Sequence, residues 1–337
     1  MFILELGSTK QINSVIIDFF RKKHVKDIVW KEELESLEVQ KELLAKTVNS
    51  KLVLECHIDI SYQRRFLKCL MHYLDTINAT IDETLYKAFG RLYSGKEEKY
   101  YHVFYPIFEI DKLDSLTEVN TIILKESINI ISNGTTGLIT WQASQALADW
   151  AIKTSLENKT ILELGSGVGL AGLAVSSLTP CNKYIFTDCH SDVLSLLKYN
   201  VKHNCDEILV DEKNPEEDMI FSGSVKDCKV EVRKLDWEWL REGICNEIGP
   251  VDLIFAADVI YDEFLHLPLI NTIRMFLENG TKAAIIAFVE RNEETVRVFR
   301  EKLATMDLKI KDLEIVEPNY LSWKTPPIIH IIEVTIH

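Results

Sequence analysis

The glycine-rich stretch ILELGSGVGLAGLAVSSL, residues 161–178, constrains the fold more than any other part of the sequence. It joins an apolar run to closely spaced glycines and then to a segment of small and apolar residues that is typical of a helix. A buried strand, a tight turn and a helix in this order form a nucleotide site in α/β proteins, because the helix N–H groups face the ligand. A packing turn without a ligand is the alternative.

Two ligand patterns overlap in this stretch. Read from Gly167, GVGLAG matches the dinucleotide pattern G-x-G-x-x-G; read from Glu163, ELGSGVG matches the E-x-G-x-G-x-G of S-adenosylmethionine enzymes. The hexapeptide ILELGS also occurs at residues 3–8, where Thr9 and Lys10 follow instead of further glycines. A second site there is not expected, so the surrounding elements must identify the ligand.

From about residue 130 onward, apolar runs typical of strands alternate with helical stretches, which predicts a parallel sheet with helices on both faces. The predicted strands are 160–164, 183–187, 229–235, 251–257 and 282–289, and the predicted helices are 169–178, 191–203, 263–278 and 292–305. Two further strand-like runs, LKIKDLEIV and IIHIIEVTI, end the chain with no helix between them. They predict a C-terminal antiparallel hairpin. Seven strands in this arrangement indicate an α/β, Rossmann-like class I methyltransferase sheet, which favours the methyl donor over NAD.

The first part of the chain has a different pattern, so we predict two domains, 1–125 and 126–337. The N-terminal domain is predicted to be mainly helical, because apolar side chains recur there at helical spacing. The clearest stripe consists of Tyr62, Phe66, Leu67, Leu70, Tyr73, Leu74 and Ile77. We expect such stripes to pack in a core, and the domain to recognise a protein substrate or to act as a structural cap.

Composition excludes several classes of protein. Acidic residues outnumber basic ones by 52 to 38, and the net charge of −14 disfavours a nucleic-acid partner. Seven cysteines without a C-x-x-C pair indicate reduced thiols and no metal site. The start of the sequence has no basic region of a signal peptide, and no apolar run is long enough to span a membrane. These features predict a cytoplasmic protein without a membrane partner.

Polar residues at the ends of the predicted strands suggest the contacts of the ligand. Asp188 ends YIFTDCH about twenty residues after the glycine turn, where a carboxylate can accept both ribose hydroxyls in either class of enzyme. Asp236 and Trp237 end the next strand, where an acid can accept the adenine amino proton and an indole can cover the purine. The alternative is that Trp237 or Trp239 belongs to the core.

The strand VDLIFAADVIYD ends in Asp258, with Tyr261 three residues later. A nucleic-acid adenine methyltransferase would usually have N-P-P-Y or D-P-P-Y here, and an NAD dehydrogenase would need a partner such as Tyr-x-x-x-Lys; neither is present. Asp258 could instead be a helix N-cap. The functional alternatives are a non-catalytic donor-binding module, an NAD oxidoreductase and a small-molecule methyltransferase.

Several segments, taken in order, resemble the seven-stranded protein-lysine methyltransferases of the D-x-x-Y type, methyltransferase family 16. These segments include SINIISNGTTGLITWQASQALADWAI, TILELGSGVGLAGLA, YIFTDCHSDVL, KLDW, AADVIY and AFVERNEET. The front half fits through IVWKEELESL, LLAKTVNS and DETLYKAFGRLY, so that the resemblance covers nearly the whole chain. It implies an S-adenosylmethionine-dependent protein-lysine N-methyltransferase, with translation elongation factor 2 as the protein substrate.

The resemblance also implies the residues of the site. The donor contacts are Trp141, Gly165, Ser166, Gly167, Asp188, Trp237 and Ala257, and the catalytic pair is Asp258 and Tyr261. Glu163 matches the family motif and would act through the turn or a water. We hypothesise that Asp258 positions the incoming amine while its proton leaves to water. The acidic segment 206–218 is expected to be a solvated loop or to steer a basic target.

Overall fold

The computed structural model describes residues 2–93, 95, 98–131, 134–211, 218–315, 318–321 and 328–336. The chain forms two compact units, Phe2–Asn129 and Ile130–His337, called here the N-terminal unit and the C-terminal unit. Each unit has a hydrophobic core of its own. Within the described ranges, none of the helices combines the length and the apolar character that crossing a membrane requires.

The N-terminal unit combines helices with a small antiparallel sheet. Its helices are α1 (Asn13–Phe20), α2 (Leu37–Lys46), α3 (Lys51–Glu55), α4 (Ile60–Thr76) and α5 (Glu83–Tyr93). Its strands are β1 (Phe2–Glu5), β2 (Tyr100–Ile107) and β3 (Glu118–Ser127), in the order β1-β3-β2. The sequence predicted a mainly helical domain and did not indicate β1 or β3, because β1 has only four residues and β3 mixes polar and apolar residues without a clear period.

The predicted apolar stripes form the core of this unit. On α4, Phe66, Leu67 and Leu70 are fully buried, while Tyr73 is partly buried against the same core, as is Ile77 directly after the helix. Aromatic rings join the helices to the sheet, since the ring centroids of Phe20 on α1 and Phe104 on β2 lie 5.0 Å apart. The stripes therefore serve packing, as the sequence predicted.

The C-terminal unit contains a nine-stranded sheet with helices along the chain between its strands. The strands are β4 (Thr160–Leu164), β5 (Lys183–Asp188), β6 (Glu207–Val210), β7 (Met219–Val225), β8 (Cys228–Lys234), β9 (Leu253–Ala257), β10 (Ala283–Val289), β11 (Leu308–Leu313) and β12 (Ile329–Ile336). Their order is β11-β12-β10-β9-β4-β5-β8-β7-β6. The helices are α6 (Gln142–Ile152), α7 (Leu170–Leu178), α8 (Ser191–Asn204), α9 (Ile244–Ile248), α10 (His266–Glu278) and α11 (Glu293–Thr305).

The seven predicted strands are all present, and β12 pairs antiparallel with both β10 and β11. This confirms the Rossmann-like methyltransferase sheet with its C-terminal antiparallel pair. The structure adds β6 and β7, which extend the edge beyond β8 in antiparallel pairing. The sequence missed β7 because its central residues, Ser-Gly-Ser, weaken the strand pattern. Part of the acidic segment forms the exposed β6, and its residues 212–217 lie outside the described ones.

Candidate active site

A cavity of about 390 Å³ opens in the C-terminal unit beyond the carboxyl ends of β4, β5, β8 and β9. The strand order reverses between β4 and β9, and open α/β sheets bind ligands at such a switch point. Its volume is typical of small-molecule sites. All nine site residues that the sequence predicted line this cavity: Trp141, Gly165, Ser166, Gly167, Asp188, Trp237, Ala257, Asp258 and Tyr261.

The turn after β4 depends on glycine. Gly165 and Gly167 have φ values of 68° and 55°, in the left-handed region that side chains rarely adopt. Space is a second constraint, because a Cβ on Gly165 would lie 2.9 Å from Cγ1 of Val259 and 3.3 Å from Cζ2 of Trp237. The turn leads directly into α7 with Gly169 as N-cap, so the unpaired N–H groups of the first helical turn lie at this end.

Ser166 holds the turn against the next strand. Its N–H donates to the carbonyl of Thr187 at 2.8 Å, and its Oγ accepts the N–H of Thr187 at 3.1 Å. The hydroxyl of Thr187 donates to the carbonyl of Glu163 at 2.6 Å. These bonds tie the ends of β4 and β5 together and fix the backbone that lines the cavity.

Asp188 ends β5 and accepts hydrogen bonds from three backbone groups. Its Oδ1 accepts the N–H of Cys189 at 2.8 Å and that of His190 at 3.2 Å, while its Oδ2 accepts the N–H of Gly167 at 3.3 Å. Burial raises the pKa of Asp188 above its ordinary value, and these N–H groups oppose the rise. The carboxylate is thus fixed in orientation and retains lone pairs for hydroxyl donors.

Glu163 is the most buried acid of the cavity, with 1% of its surface exposed. Its Oε2 has no hydrogen-bond partner. Burial raises the pKa of this carboxyl to about 8, so Glu163 carries a proton at neutral pH. A buried polar atom without a partner beside a ligand cavity is a site that a bound polar group can satisfy.

Trp237 both lines the cavity and packs against the core, so its two alternatives do not exclude each other. Its indole lies against Gly165 and lines the cavity, and the side chain also packs against the core of the unit. The neighbouring Asp236 accepts the N–H of Glu238 at 3.0 Å, which shapes the turn after β8. Trp239, in contrast, is 80% exposed and does not belong to the core.

Asp258 is held by an arginine that the sequence analysis did not assign. Its Oδ1 lies 3.2 Å from Nη1 of Arg291 and its Oδ2 lies 3.1 Å from Nη2, a bidentate pair. Oδ1 also accepts the N–H of Val289 at 3.0 Å, and the backbone of Asp258 has a φ of 56°. Asp258 is not the helix N-cap proposed as an alternative, because Asp262 caps the following 3₁₀ turn through the N–H of Phe264.

Arg291 also connects Asp258 to Trp141. Its guanidinium carbon lies 4.8 Å from the centroid of the Trp141 ring, and the Trp141 Nε1–H donates to the carbonyl of Thr136 at 3.1 Å. The signal in the sequence was the charged pair Glu290–Arg291 directly after the apolar strand β10. A charge at the carboxyl end of a central parallel strand is expected to meet the residue that ends the neighbouring strand.

The last two predicted residues differ in exposure. Ala257 ends β9 opposite Ala287 of β10, and its small side chain leaves space in the cavity beside Asp258. Tyr261 is 59% exposed and lies where the cavity meets solvent. The structure therefore gives Ala257 a place on the inner wall and Tyr261 a place at the mouth.

The charge of the lining fits a cationic ligand. Besides the protonated Glu163, the acids among the described residues that line the cavity are Asp188, Asp236, Glu238, Asp258 and Asp262; Asp258 is paired with Arg291, and the lining itself contains neither lysine nor arginine. S-adenosylmethionine carries a sulfonium, an ammonium and a carboxylate group, so its net charge is positive and a lining of negative sign attracts it. The glycine turn and Asp188 supply the close backbone approach and the acceptor that its adenosine part requires.

Comparison with known proteins identifies relatives of this chain. The family model described as lysine methyltransferase matches residues 121–305. The mouse protein-lysine N-methyltransferase EEF2KMT is 30% identical over 88% of this chain and 86% of its own, and the human protein is 31% identical over 81% and 78%. The calmodulin-lysine N-methyltransferase of Arabidopsis thaliana is 22% identical over 60% of both chains.

Proposed function

Because this chain belongs to the lysine methyltransferase family, we propose that it methylates one lysine of translation elongation factor 2 in the cytoplasm. The matching family model and the relatives identify the chain as an S-adenosylmethionine-dependent protein-lysine N-methyltransferase. The proposal concerns the substrate. It is supported by the identity to the EEF2KMT relatives, which extends over more than three quarters of their length.

We propose the following contacts for the donor. The backbone of Gly165, Ser166 and Gly167 approaches it closely, and Asp188 accepts hydrogen bonds from the ribose hydroxyls. Trp237 covers the adenine, while Trp141 and Ala257 bound the opposite part of the pocket. The lining positions of all seven residues support this assignment. When bound, S-adenosylmethionine supplies an electrophilic methyl group on a sulfonium.

Asp258 and Tyr261 are proposed to act on the lysine. A free lysine amine has a pKa of about 10.4, so the site must orient an amine that has lost its proton. Asp258 accepts a hydrogen bond from this amine through Oδ2, which has a lone pair left beside Arg291. Since its charge is already paired, Asp258 is suited to position the amine, and water takes the proton. Tyr261 lines the entry of the side chain.

The N-terminal unit, 1–125 in the sequence-based division, is proposed to contribute to recognition of the protein substrate. The family model covers residues 121–305, whereas the EEF2KMT relatives match far more of the chain. Sequence shared beyond the methyltransferase segment suits a function that these relatives share. One lysine of a folded protein also requires more contacts than a narrow channel provides.

The proposal is tested by transfer of labelled methyl groups from S-adenosylmethionine to purified, unmethylated elongation factor 2. We expect labelling by the wild type and a rate about 100-fold or more lower for Asp258→Ala, because the amine is no longer aligned. Donor binding should persist in the variant. A matched control is Asp252→Ala at the amino end of β9, where the carboxylate pairs with Lys159 and Lys282 away from the cavity.

The outcomes separate chemistry from substrate. Labelling of other proteins in an extract, but not of elongation factor 2, would overturn the proposed substrate. Normal turnover by Asp258→Ala would overturn its role as the positioning group. Donor binding by the wild type without transfer to any protein would favour a non-catalytic binding module.

A further inference from the structure

The segment after β9 presents large apolar side chains to solvent next to Tyr261, Asp262 and Leu265, which line the cavity. Tyr261 lines the mouth and is 59% exposed, Phe264 is 91% exposed and Leu267 is 49% exposed. Phe264 lies in a 3₁₀ turn and Leu267 in the first turn of α10. Residues three apart in such turns lie on the same face, so we expect Phe264 and Leu267 to face solvent together as one apolar surface.

This surface rests on an anchored backbone. Asp262 accepts the N–H of Phe264 at 3.0 Å, and the ring Nε2 of the buried His266 lies 2.8 Å from the carbonyl of Ile260. The His266 ring packs on Phe299 of α11 at 5.1 Å between centroids. Exposure of Phe264 is therefore a property of a fixed turn, and an exposed phenylalanine on a fixed turn is suited to contact a partner.

The same mouth is acidic. Asp236, Glu238 and Asp262 line it, and Glu263 is exposed beside Phe264. Of the described cations near these acids, Lys302 donates to the carbonyl of Glu263 at 3.1 Å, Arg291 pairs with Asp258, and Arg241 pairs with Asp218 and Glu247. Lys234 lies near Asp236, so among the described residues the acids outnumber the unpaired cations at this edge. A peptide with positive charges would be attracted to this edge of the cavity.

The position of the surface relates it to the lysine. If a lysine reaches Asp258 through the mouth at Tyr261, its backbone remains outside, and each flanking residue extends the chain by about 3.3–3.6 Å. The residues within three positions of the lysine then lie over the turn that carries Phe264 and Leu267.

We propose that Phe264 and Leu267, with the carboxylates of Asp236 and Glu238, form the docking surface for the segment that flanks the target lysine. The partner is a protein segment that combines a large apolar side chain with basic residues next to the lysine. This inference rests on the proposed function, because it takes the mouth at Tyr261 as the entry of the lysine.

The test is a steady-state comparison on purified elongation factor 2 at saturating S-adenosylmethionine. For the double variant Phe264→Ala/Leu267→Ala we expect KM for the protein to rise about tenfold or more, with kcat changed less than about twofold. Donor affinity and melting temperature should stay at the wild-type values, because both side chains are exposed. A KM within twofold of the wild type, or a loss confined to kcat, would overturn the proposal.

A matched control and a charge variant sharpen this test. The control Ile336→Ala removes a side chain that is 42% exposed. Ile336 pairs with Leu308 at the end of β12 that lies away from the cavity, so the KM of this variant should equal that of the wild type. Glu238→Gln should raise KM at low ionic strength, and the difference should shrink as salt is added. A salt-independent KM in both proteins would contradict the basic character of the segment.

Failure of the proposed substrate is recognised separately. If the wild type does not label elongation factor 2, the same variants are compared on the proteins that it does label in an extract. Reduced labelling by the double variant at limiting extract, restored by more extract, would support the docking surface. Equal labelling would overturn it, as would the absence of transfer to any protein.

Discussion

The hexapeptide ILELGS starts at Ile3 in the N-terminal unit and at Ile161 in the C-terminal unit. The first copy forms β1, an edge strand of an antiparallel sheet, and the second forms β4, between two parallel neighbours. In both copies the strand ends before the glycine. The local sequence thus determines the strand and its end, while the neighbours determine whether the turn after it is open to a ligand.

The two turns differ in what receives their N–H groups. In the first copy, Glu42 of the same unit accepts hydrogen bonds from the N–H and hydroxyl groups of both Ser8 and Thr9. The carboxylate of Glu42 therefore satisfies the N–H groups of this turn. In the second copy, Asp188 accepts the N–H of Gly167, the carbonyl of Thr187 accepts the N–H of Ser166, and the turn borders the cavity.

The glutamate within the hexapeptide differs just as strongly. Glu5 is exposed and pairs with Lys46 at 2.6 Å, whose hydrogen bond lowers the pKa of Glu5. Glu163 is buried, and burial raises its pKa to about 8. The same residue of a sequence motif can therefore have different protonation states in two copies of the motif.

The largest effect is expected where the glycines of the two copies are exchanged for alanine. Gly165→Ala places a Cβ at positive φ and 2.9 Å from Val259, which should lower the free energy of unfolding by about 2–4 kcal/mol. Donor binding should weaken at least about tenfold, as measured by calorimetry. Gly7→Ala is the control, since Gly7 does not have a positive φ and its nearest neighbour is the carboxylate of Glu42 at 3.2 Å. Equal losses in both variants would contradict the distinction.

The second prediction concerns the buried glutamate and pH. Unfolded Glu163 ionises near its ordinary pKa of about 4.5, whereas the folded group stays protonated to about pH 8, so its burial makes the free energy of unfolding fall as pH rises between these values. In the wild type, the free energy of unfolding should fall by about 2–3 kcal/mol between pH 5 and pH 7 because of this group, and Glu163→Gln should not show this fall. Denaturation at several pH values measures this pH dependence of the free energy of unfolding. Glu5→Gln should change the slope of the free energy of unfolding against pH only slightly and with the opposite sign. If the Glu163 variant has the same slope as the wild type, the assignment is disproved.

The third prediction concerns the acid beside the open turn. Asp188→Ala removes the acceptor assigned to the ribose and the partner of the Gly167 N–H, so donor affinity should fall about 10- to 100-fold, equivalent to 1.4–2.7 kcal/mol. Titration calorimetry with S-adenosylmethionine and its demethylated product checks this value. Unchanged affinity for both would show that Asp188 only supports the turn.

The smallest effect is expected for the acid that closes the other turn. Glu42→Ala leaves the N–H groups of Ser8 and Thr9 without their acceptor, which should lower the free energy of unfolding by about 1–2 kcal/mol at this half-buried position. Methyl transfer and donor affinity, measured below the melting temperature, should be unchanged. A specific loss of donor binding would mean that the first copy does participate in the site.

The sequence predicted those parts of the fold whose period is unambiguous. β4, β5, β9 and β10 are buried over most of their length and β12 over half, while β8 and β11 mainly alternate apolar and polar residues. The helices α8, α10 and α11 each bury one side, and α7 is buried almost throughout. β1, β3, β6 and β7 are short or mixed in polarity. β1 pairs with β3 far along the chain, which leaves no local signal, whereas β6 and β7 pair with the strands that directly follow them and were missed because their own pattern is weak.

For the site, the sequence predicted which residues meet but not how they bond. The glycine turn, Asp188 and Asp258 were predictable because each follows a strand in a parallel sheet. The bidentate pair of Arg291 with Asp258 was not, because it joins residues 33 positions apart through side-chain geometry. The roles of these residues in donor and lysine binding remain predictions.

The order of strands in the C-terminal unit also has a consequence during synthesis. β4 is made first, but its neighbour β9 follows only after β5 to β8, and Arg291, which holds Asp258, follows later still. Long-range pairings of this kind form slowly and only once both partners exist. A ribosome-bound chain that ends before β10 therefore has all the described residues that line the cavity, but it lacks the strand that pairs beside β9 and the arginine that holds Asp258. The fixed orientation of Asp258 thus arises late in the maturation of the protein.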